Sequence, residues 1–453
     1  MTVFRRKAMD KLKEWKDKYS DRFAVLVEGA RGVGKTTAVK EFAERNYDSY
    51  ILIDFSEPRE EVNELFRNVW DTDAFFEKLE SIYGVKLVPG HSAIIFDEVQ
   101  CFGQARQSIE LLVKDGRFAY METGTLLMVC AGRDHIRTGG EDHLTMYPMD
   151  FEEFLWALHG NDETVTGQIE GAFNRFRPLG QDLHQSIMED FRKYLLVGGM
   201  PQAVAAFASG AEKGFACAEA VKRGILAQYM ADIAKFGGSV EERARIEAVF
   251  NRLPVQLAEK DKTLNLSKLS PGASLEDYDE AIFWLKDAGI LIPSCPCGKP
   301  DGMLFMDLRY SSIECFMMDT GLLATLQYAV CKPHDMYLHD NVLKGHLGVD
   351  EGMLMENMAA QMLAPSRNRK LFFYRHFDKA AKKTDMESDF MIYRGLKVCP
   401  LDVRCGTACS FEAYNRIRGK YTQYIGKGYI LHTGDLAVKD TVYYLPVYMG
   451  MFL

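Results

Sequence analysis

Nowhere in the 453 residues does an apolar run reach the ~18–20 residues needed to span a bilayer. The first twenty residues are charged and helical in pattern (Lys11, Lys13, Glu14, Lys16, Asp17, Lys18) and lack the apolar core of a signal peptide. A cytoplasmic protein without membrane contact is therefore expected. A basic excess is also missing: the net charge is −9, which argues against wholesale coating of nucleic acid but leaves room for a local basic groove. Ten cysteines are scattered without paired Cys-x-x-Cys sets. Cys295 and Cys297, and the group Cys399, Cys405 and Cys409, have neither zinc-site spacing nor a disulfide pattern, so incidental thiols in a reducing compartment are expected. Repeats and low-complexity segments are absent too. What remains is 47% hydrophobic and long enough for two to four domains at roughly 100–200 residues each.

The most informative segment lies near the start. Phe23 to Glu28 reads as a short buried strand, and Thr37 to Arg45 reads as a helix. Between them stands Gly29-Ala30-Arg31-Gly32-Val33-Gly34-Lys35-Thr36, followed by Thr37, a phosphate-binding loop in the strand–loop–helix setting it requires. Glycines let backbone N–H groups approach phosphate oxygens, and the helix adds its positive end. Lys35 is expected to reach the β- and γ-phosphates of ATP, and the Thr36 hydroxyl to ligate Mg2+. The plain alternative is a glycine-rich turn that matches by accident.

Ser92 to Phe96 is an apolar strand ending in Asp97-Glu98, a Walker B pattern. Asp97 would hold the magnesium, mainly through its water shell, and Glu98 would position and polarise the attacking water. A further strand at Arg117 to Met121 ends in Glu122-Thr123-Gly124-Thr125, and Thr123 is the expected γ-phosphate sensor. The alternative is an ordinary strand-to-turn residue. Arg133 and Arg137 follow, but neither can be assigned as an arginine finger from sequence.

These motifs, the Asp97-Glu98-Val99-Gln100 end and the string Met146 to Leu155 resemble a large prokaryotic AAA-type ATPase family whose members carry a C-terminal domain with a nuclease-like fold. Gly198-Gly199-Met200-Pro201, Asp319-Thr320-Gly321-Leu322-Leu323, and Glu351-Gly352 through Glu356-Asn357 match later landmarks, so the resemblance covers nearly the whole chain. It implies an α/β architecture: a P-loop NTPase core with a parallel sheet, a helical lid, a winged helix, and a PD-(D/E)xK-like α/β domain.

The chain pattern agrees with boundaries at 1–158 for the core, 159–240 for the lid, 241–310 for a winged-helix-like domain, and 311–453 for the nuclease-like domain. Phe173 to Lys235 reads as helical, broken at Gly198 to Pro201. Ala244 to Leu253, Asn265 to Leu269 and Leu275 to Asp287 read as three helices, with Ile290 to Pro293 and Met303 to Met306 as a two-stranded wing. The third helix carries Glu276, Asp277, Asp279 and Glu280 against one Lys286, an unsuitable face for phosphate-lined grooves. A structural or protein-binding role is expected there.

In the last domain, Glu356, Asp389 and Asp402, with Glu387 as a further acid, fall in an order that would build a second metal cluster. Arg404 stands where the resembling family has a lysine. A guanidinium stabilises negative charge but does not serve as a base, so the domain is expected to be degenerate.

The main expectation is an ATPase that moves a nuclease-like domain. A slow nucleotide switch for a protein client, and an ATP-regulated DNA nuclease, are the alternatives. An arginine finger supplied by another copy would make the chain a homo-oligomer, and sequence leaves that open.

Overall fold

The computed structural model describes all residues except 1–2, 58, 127–129, 131–139, 260, 302–303, 305–311, 332–341, 346–348, 366–369, 379–382 and 406–411. Arg133, Arg137 and Cys409 lie outside the described residues. The chain forms two compact units, one of residues 1–148 with 287–289, the other of residues 149–286 with 290–453.

The N-terminal unit is built on five parallel strands: β1 (Ala24–Glu28), β2 (Ser49–Asp54), β3 (Ser92–Asp97), β4 (Ala119–Gly124) and β5 (Glu141–Thr145). Their order is β2-β3-β4-β1-β5, with β1 pairing in parallel to both β4 and β5. Parallel strands need crossover helices that cover the sheet, and the strands are accordingly near-continuous apolar runs. The helices are α1 (Ala8–Lys18), α2 (Lys35–Asn46), α3 (Glu60–Phe66), α4 (Thr72–Tyr83) and α5 (Gly103–Asp115). The Asp71 carboxylate caps α4 by accepting the N–H of Ala74, and Gly84 ends it in the left-handed conformation. An aromatic cluster fills the core: Phe96 meets Phe55 and Phe66 edge-on, and Phe66 meets Phe75. The expected strand at Arg117 to Met121 begins and ends later, so its tip carries Thr123 and Gly124 rather than stopping before them.

The second unit opens with helices Phe151–Leu158, Thr164–Arg175, Gln181–Val197, Pro201–Ser209, Gly214–Phe236 and Val240–Ala258. The first is fixed by a capping box in which Asp150 accepts the N–H of Glu153 and Glu153 accepts that of Asp150. The short helix expected around Asn265 to Leu269 is a single 3-10 turn, Leu266–Lys268.

The expected wing takes a different form. Strand β6 (Leu291–Pro296) pairs antiparallel with β7 (Glu314–Met317) and parallel with β8 (Leu371–Asp378), which pairs with β9 (Lys383–Ser388). Leu291, Ile292 and Ser294 are buried, so the strand belongs inside a sheet rather than in an exposed hairpin. Of the second expected wing strand only Leu304 is described, and its N–H donates to the Tyr393 hydroxyl at 2.7 Å.

A five-stranded mixed sheet completes the unit: β10 (Phe390–Arg394), β11 (Lys397–Val403), β12 (Gly428–His432), β13 (Ala437–Lys439) and β14 (Val442–Pro446), in the order β10-β11-β12-β14-β13. Glu387 to Tyr393, expected as one strand, is broken at Asp389, between β9 and β10. Helix Val349–Leu363 carries Glu356 as expected. No helix among the described residues is long and apolar enough to cross a membrane.

Candidate functional site

The loop between β1 and α2 adopts the backbone that its glycines were expected to allow. Gly29, Gly32 and Gly34 have φ of 150°, 87° and 93°, in or near the region that side chains disfavour. A Cβ on Gly29 would lie 2.1 Å from the Met146 carbonyl oxygen, so no other residue fits there. Ala30 and Val33 are buried, while Arg31, Gly32, Gly34, Thr36 and Thr37 are half-buried around the mouth of the loop. Arg6 braces this loop from α1's leading edge: its guanidinium donates to the Val33 carbonyl at 2.8 Å and the Tyr147 carbonyl at 2.7 Å.

Lys35 is 5% exposed, and its ammonium donates to the carbonyls of Gly29 (2.9 Å) and Ala30 (3.0 Å) and to the Thr125 hydroxyl (2.8 Å). The loop thus curls around its own lysine, the shape of a cradle for a phosphate. Thr36, at the first turn of α2, donates its hydroxyl to Asp97 Oδ1 at 2.8 Å. The Thr123 hydroxyl donates to the same oxygen and accepts the N–H of Glu98 at 3.2 Å. Burial, foremost, raises the Asp97 carboxyl above its ordinary value, and the Thr123 and Thr36 hydroxyls oppose this. Among the described residues this buried carboxylate is held by hydroxyls rather than by an arginine or lysine, a donor set that fits Mg2+ with Thr36 and Asp97 as its protein ligands. Magnesium, when bound, screens the phosphate charges of the nucleotide.

Glu98 is in the left-handed region (φ 56°, ψ 48°), which turns its side chain out of β3 at the strand end. The Gln100 side-chain amide donates to its carboxylate. The structure therefore brings Lys35, Thr36, Asp97, Glu98 and Thr123 together. Thr123 reaches Asp97 and Glu98, whereas Thr125 meets Lys35. Thr125, Gln100 and Arg6 are participants that sequence reasoning passed over. The alternation Thr123-Gly124-Thr125 carried a signal, because a period of two puts both hydroxyls on one side of a strand. Arg6 carried none, since nothing local ties it to a loop met later in the chain.

The acids expected as a second metal site also converge, but around cations of the chain itself. Lys262 Nζ lies 2.6 Å from Glu356 Oε1 and 3.6 Å from Asp389 Oδ1. The Arg404 guanidinium lies 3.1 Å from both Asp389 and Asp402. Asp402 accepts the N–H of Asp389 at 3.3 Å, and Asp389 accepts that of Val403 at 2.9 Å. Burial raises Glu356 and Asp402, with the Asp389 charge next, while the neighbouring cations pull both back. Glu387 pairs with Arg375 at 3.0 Å, and Arg375 also binds Glu314 at 2.7 Å. Burial pushes Glu314 up to about 8. Among the described residues no three His, Cys, Asp or Glu side chains stand in metal-binding geometry. The expectation missed Lys262 because its partners lie far away in sequence.

Comparison with known proteins bears on both units. Residues 21–155 match a family described as an AAA domain, and residues 188–330 match one described as Domain of unknown function (DUF8612). The second match spans both the Gly198 to Pro201 and the Asp319 to Leu323 landmarks. No curated protein matches. Among solved structures, a Walker-type ATPase of Pyrococcus abyssi is 15% identical, with 72% of this chain and 96% of that one covered and a TM-score of 0.43. A signal-transduction ATPase with numerous domains from Pyrococcus horikoshii, bearing a tetratricopeptide repeat sensor, is 11% identical, covering 80% of this chain and 48% of that one with a TM-score of 0.27. The family match and the parallel sheet agree in giving residues 21–155 an AAA-type domain.

Proposed function

We propose that the chain binds and hydrolyses MgATP, with Lys35 on the β- and γ-phosphates, Thr36 and Asp97 as magnesium ligands, and Glu98 polarising the attacking water. The observation that carries this reading is the cluster at the end of β3, where Thr36 and Thr123 both donate to Asp97 and Thr123 also fixes the N–H of Glu98. The loop amides and the positive end of α2 orient the phosphates. Thr123 holds the two acids in register, so it acts on the reaction by positioning rather than by direct phosphate sensing. Lys35 neutralises charge that builds on the transferred phosphoryl group.

The second unit reads as a nuclease-like domain in degenerate form, moved through the helices of residues 159–240 and docking a protein client or a nucleic-acid end. The ammonium of Lys262 between Glu356 and Asp389 favours binding over metal-dependent cleavage. The test is steady-state ATP hydrolysis with magnesium, with and without linear duplex DNA, for wild type, Lys35→Ala and Glu98→Gln. Both variants are expected to lose turnover by about 10²-fold or more, Lys35→Ala with weakened nucleotide binding and Glu98→Gln without. Wild-type turnover in either variant overturns the assignment. Stimulation by DNA favours a nucleic-acid client, and indifference favours a protein.

A further inference from the structure

An ammonium has three protons, and the structure gives each of Lys35's an acceptor on the protein: the Gly29 carbonyl, the Ala30 carbonyl and the Thr125 hydroxyl. A phosphate oxygen that takes one of them displaces one acceptor. Two of the three are backbone carbonyls of the loop, fixed by its glycines. The third is a side-chain rotor, the cheapest to release.

Thr125 is not an isolated contact. Its hydroxyl also donates to the Gly29 carbonyl at 3.1 Å, and its backbone N–H donates to Gln100 Oε1 at 3.2 Å. The other end of the same amide donates to the carboxylate of Glu98. Thr125, with its hydroxyl on Lys35 and its backbone N–H on Gln100, and Gln100, with the other end of its amide on Glu98, therefore link Lys35 to Glu98. Both ends of the Gln100 amide are engaged, so its side chain cannot change one contact without loosening the other.

We propose that Gln100 is a brake on the water-polarising acid: it holds the Glu98 carboxylate against the Val99–Cys101 turn, and lets it go when a phosphate draws Lys35 away from Thr125. The 3.2 Å bond from Thr125 to Gln100 is the long one in the path and parts first. In this role Gln100 is a positioning residue that acts through Glu98. The device makes hydrolysis wait for correct seating of the nucleotide, and it rests on the roles of Lys35 and Glu98 proposed above.

The test is Gln100→Met, which keeps length and volume but neither donates nor accepts as an amide does. Turnover and affinity for a fluorescent ATP analogue are measured in the wild-type and Glu98→Gln backgrounds. The expected result is kcat raised about fivefold with KM within about twofold, and no change in the Glu98→Gln background. A merely structural glutamine would alter kcat by the same factor in both backgrounds. A kcat that falls or stays level, or an equal rise without Glu98, overturns the brake. If Gln100→Met fails to fold, Gln100→Asn, one methylene too short to bridge, is expected to act in the same direction. Absence of nucleotide binding by the wild type, or full turnover in Glu98→Gln, removes the reading of the site itself and the brake with it.

Discussion

The carboxylate of Asp319 accepts the backbone N–H of Gly199 at 2.6 Å across 120 positions of sequence. Its other oxygen accepts the N–H of Leu322 at 2.8 Å. Gly198 lies against the same carboxylate: a Cβ there would come within 2.3 Å of Asp319 Oδ1, at a φ of +79°. Gly199 in turn accepts the N–H of Met149 at 2.7 Å, and the buried Lys222 donates to the carbonyls of Leu196 (2.6 Å) and Gly321 (3.2 Å). Two sequence landmarks that are individually weak are thus the two halves of one buried junction in the second unit. Each needs its small residues because the other occupies the space a side chain would take.

Removing the Asp319 acceptor leaves the N–H groups of Gly199 and Leu322 without it, so Asp319→Ala is expected to cost about 3–5 kcal/mol of the second unit's stability. Asp319→Asn keeps one acceptor but presents an amide N–H to the other donor, and should cost less. Gly198→Ala adds strain and overlap at the same point and should rival Asp319→Ala. Urea unfolding followed by a probe in the second unit measures all three. A shift in midpoint below that of an ordinary surface substitution would refute the junction.

Local pattern carried most of the first unit. The strand–loop–helix order and the Asp97-Glu98 strand end are both set by neighbours in sequence, and each stands where expected. What was illegible depends on pairing at long range. The partners of β6 are β7 and β8, and nothing within Ile290 to Pro293 distinguishes a sheet interior from a wing except burial on folding. Lys262 and Arg6 were invisible for the same reason: each satisfies groups that the fold, not the sequence, brings near.

The first unit contains a buried acid that should make it sensitive to alkali. Glu122 is fully buried in β4, within hydrogen-bonding reach of the Glu141 carboxylate. Burial and the Glu141 charge raise its carboxyl well above 4.5. The folded state therefore keeps a proton that the unfolded chain sheds above about 4.5, so rising pH favours unfolding. His143 pushes the same way. Hydrogen bonding to Glu141, then to Glu28, raises it to about 9, giving stability that is complete below 6.5 and lost as pH passes through about 9. Glu122→Gln supplies a permanent N–H toward Glu141 and is expected to stabilise this unit by about 1–3 kcal/mol at pH 8. The gain should shrink as pH falls toward 4.5, where the unfolded glutamate begins to take up the proton that the folded one already holds. Melting curves of both proteins from pH 5 to 9.5 test this; a gain independent of pH would show that Glu122 does not carry the proton.

Lys262 lies between Glu356 and Asp389, two of the acids that the sequence was expected to use for a metal. At 2.6 Å from Glu356 and 3.6 Å from Asp389, the ammonium sits among carboxylates that are themselves nearly buried. These acids hold Lys262 in its charged form against the cost of its own burial. Lys262→Met deletes the cation and leaves the nearly buried Glu356 without its partner beside Asp389, which keeps Arg404, a loss of about 3–5 kcal/mol. Millimolar Mn2+ is expected to restore part of that stability in Lys262→Met while leaving the melting of wild type unchanged, because only the variant leaves Glu356 without its cation. The wild type should accordingly leave supercoiled plasmid intact with Mg2+ or Mn2+. Equal stabilisation of both proteins by Mn2+ would place the metal elsewhere, and nicking by the wild type would show that Lys262 yields its place to a metal during catalysis.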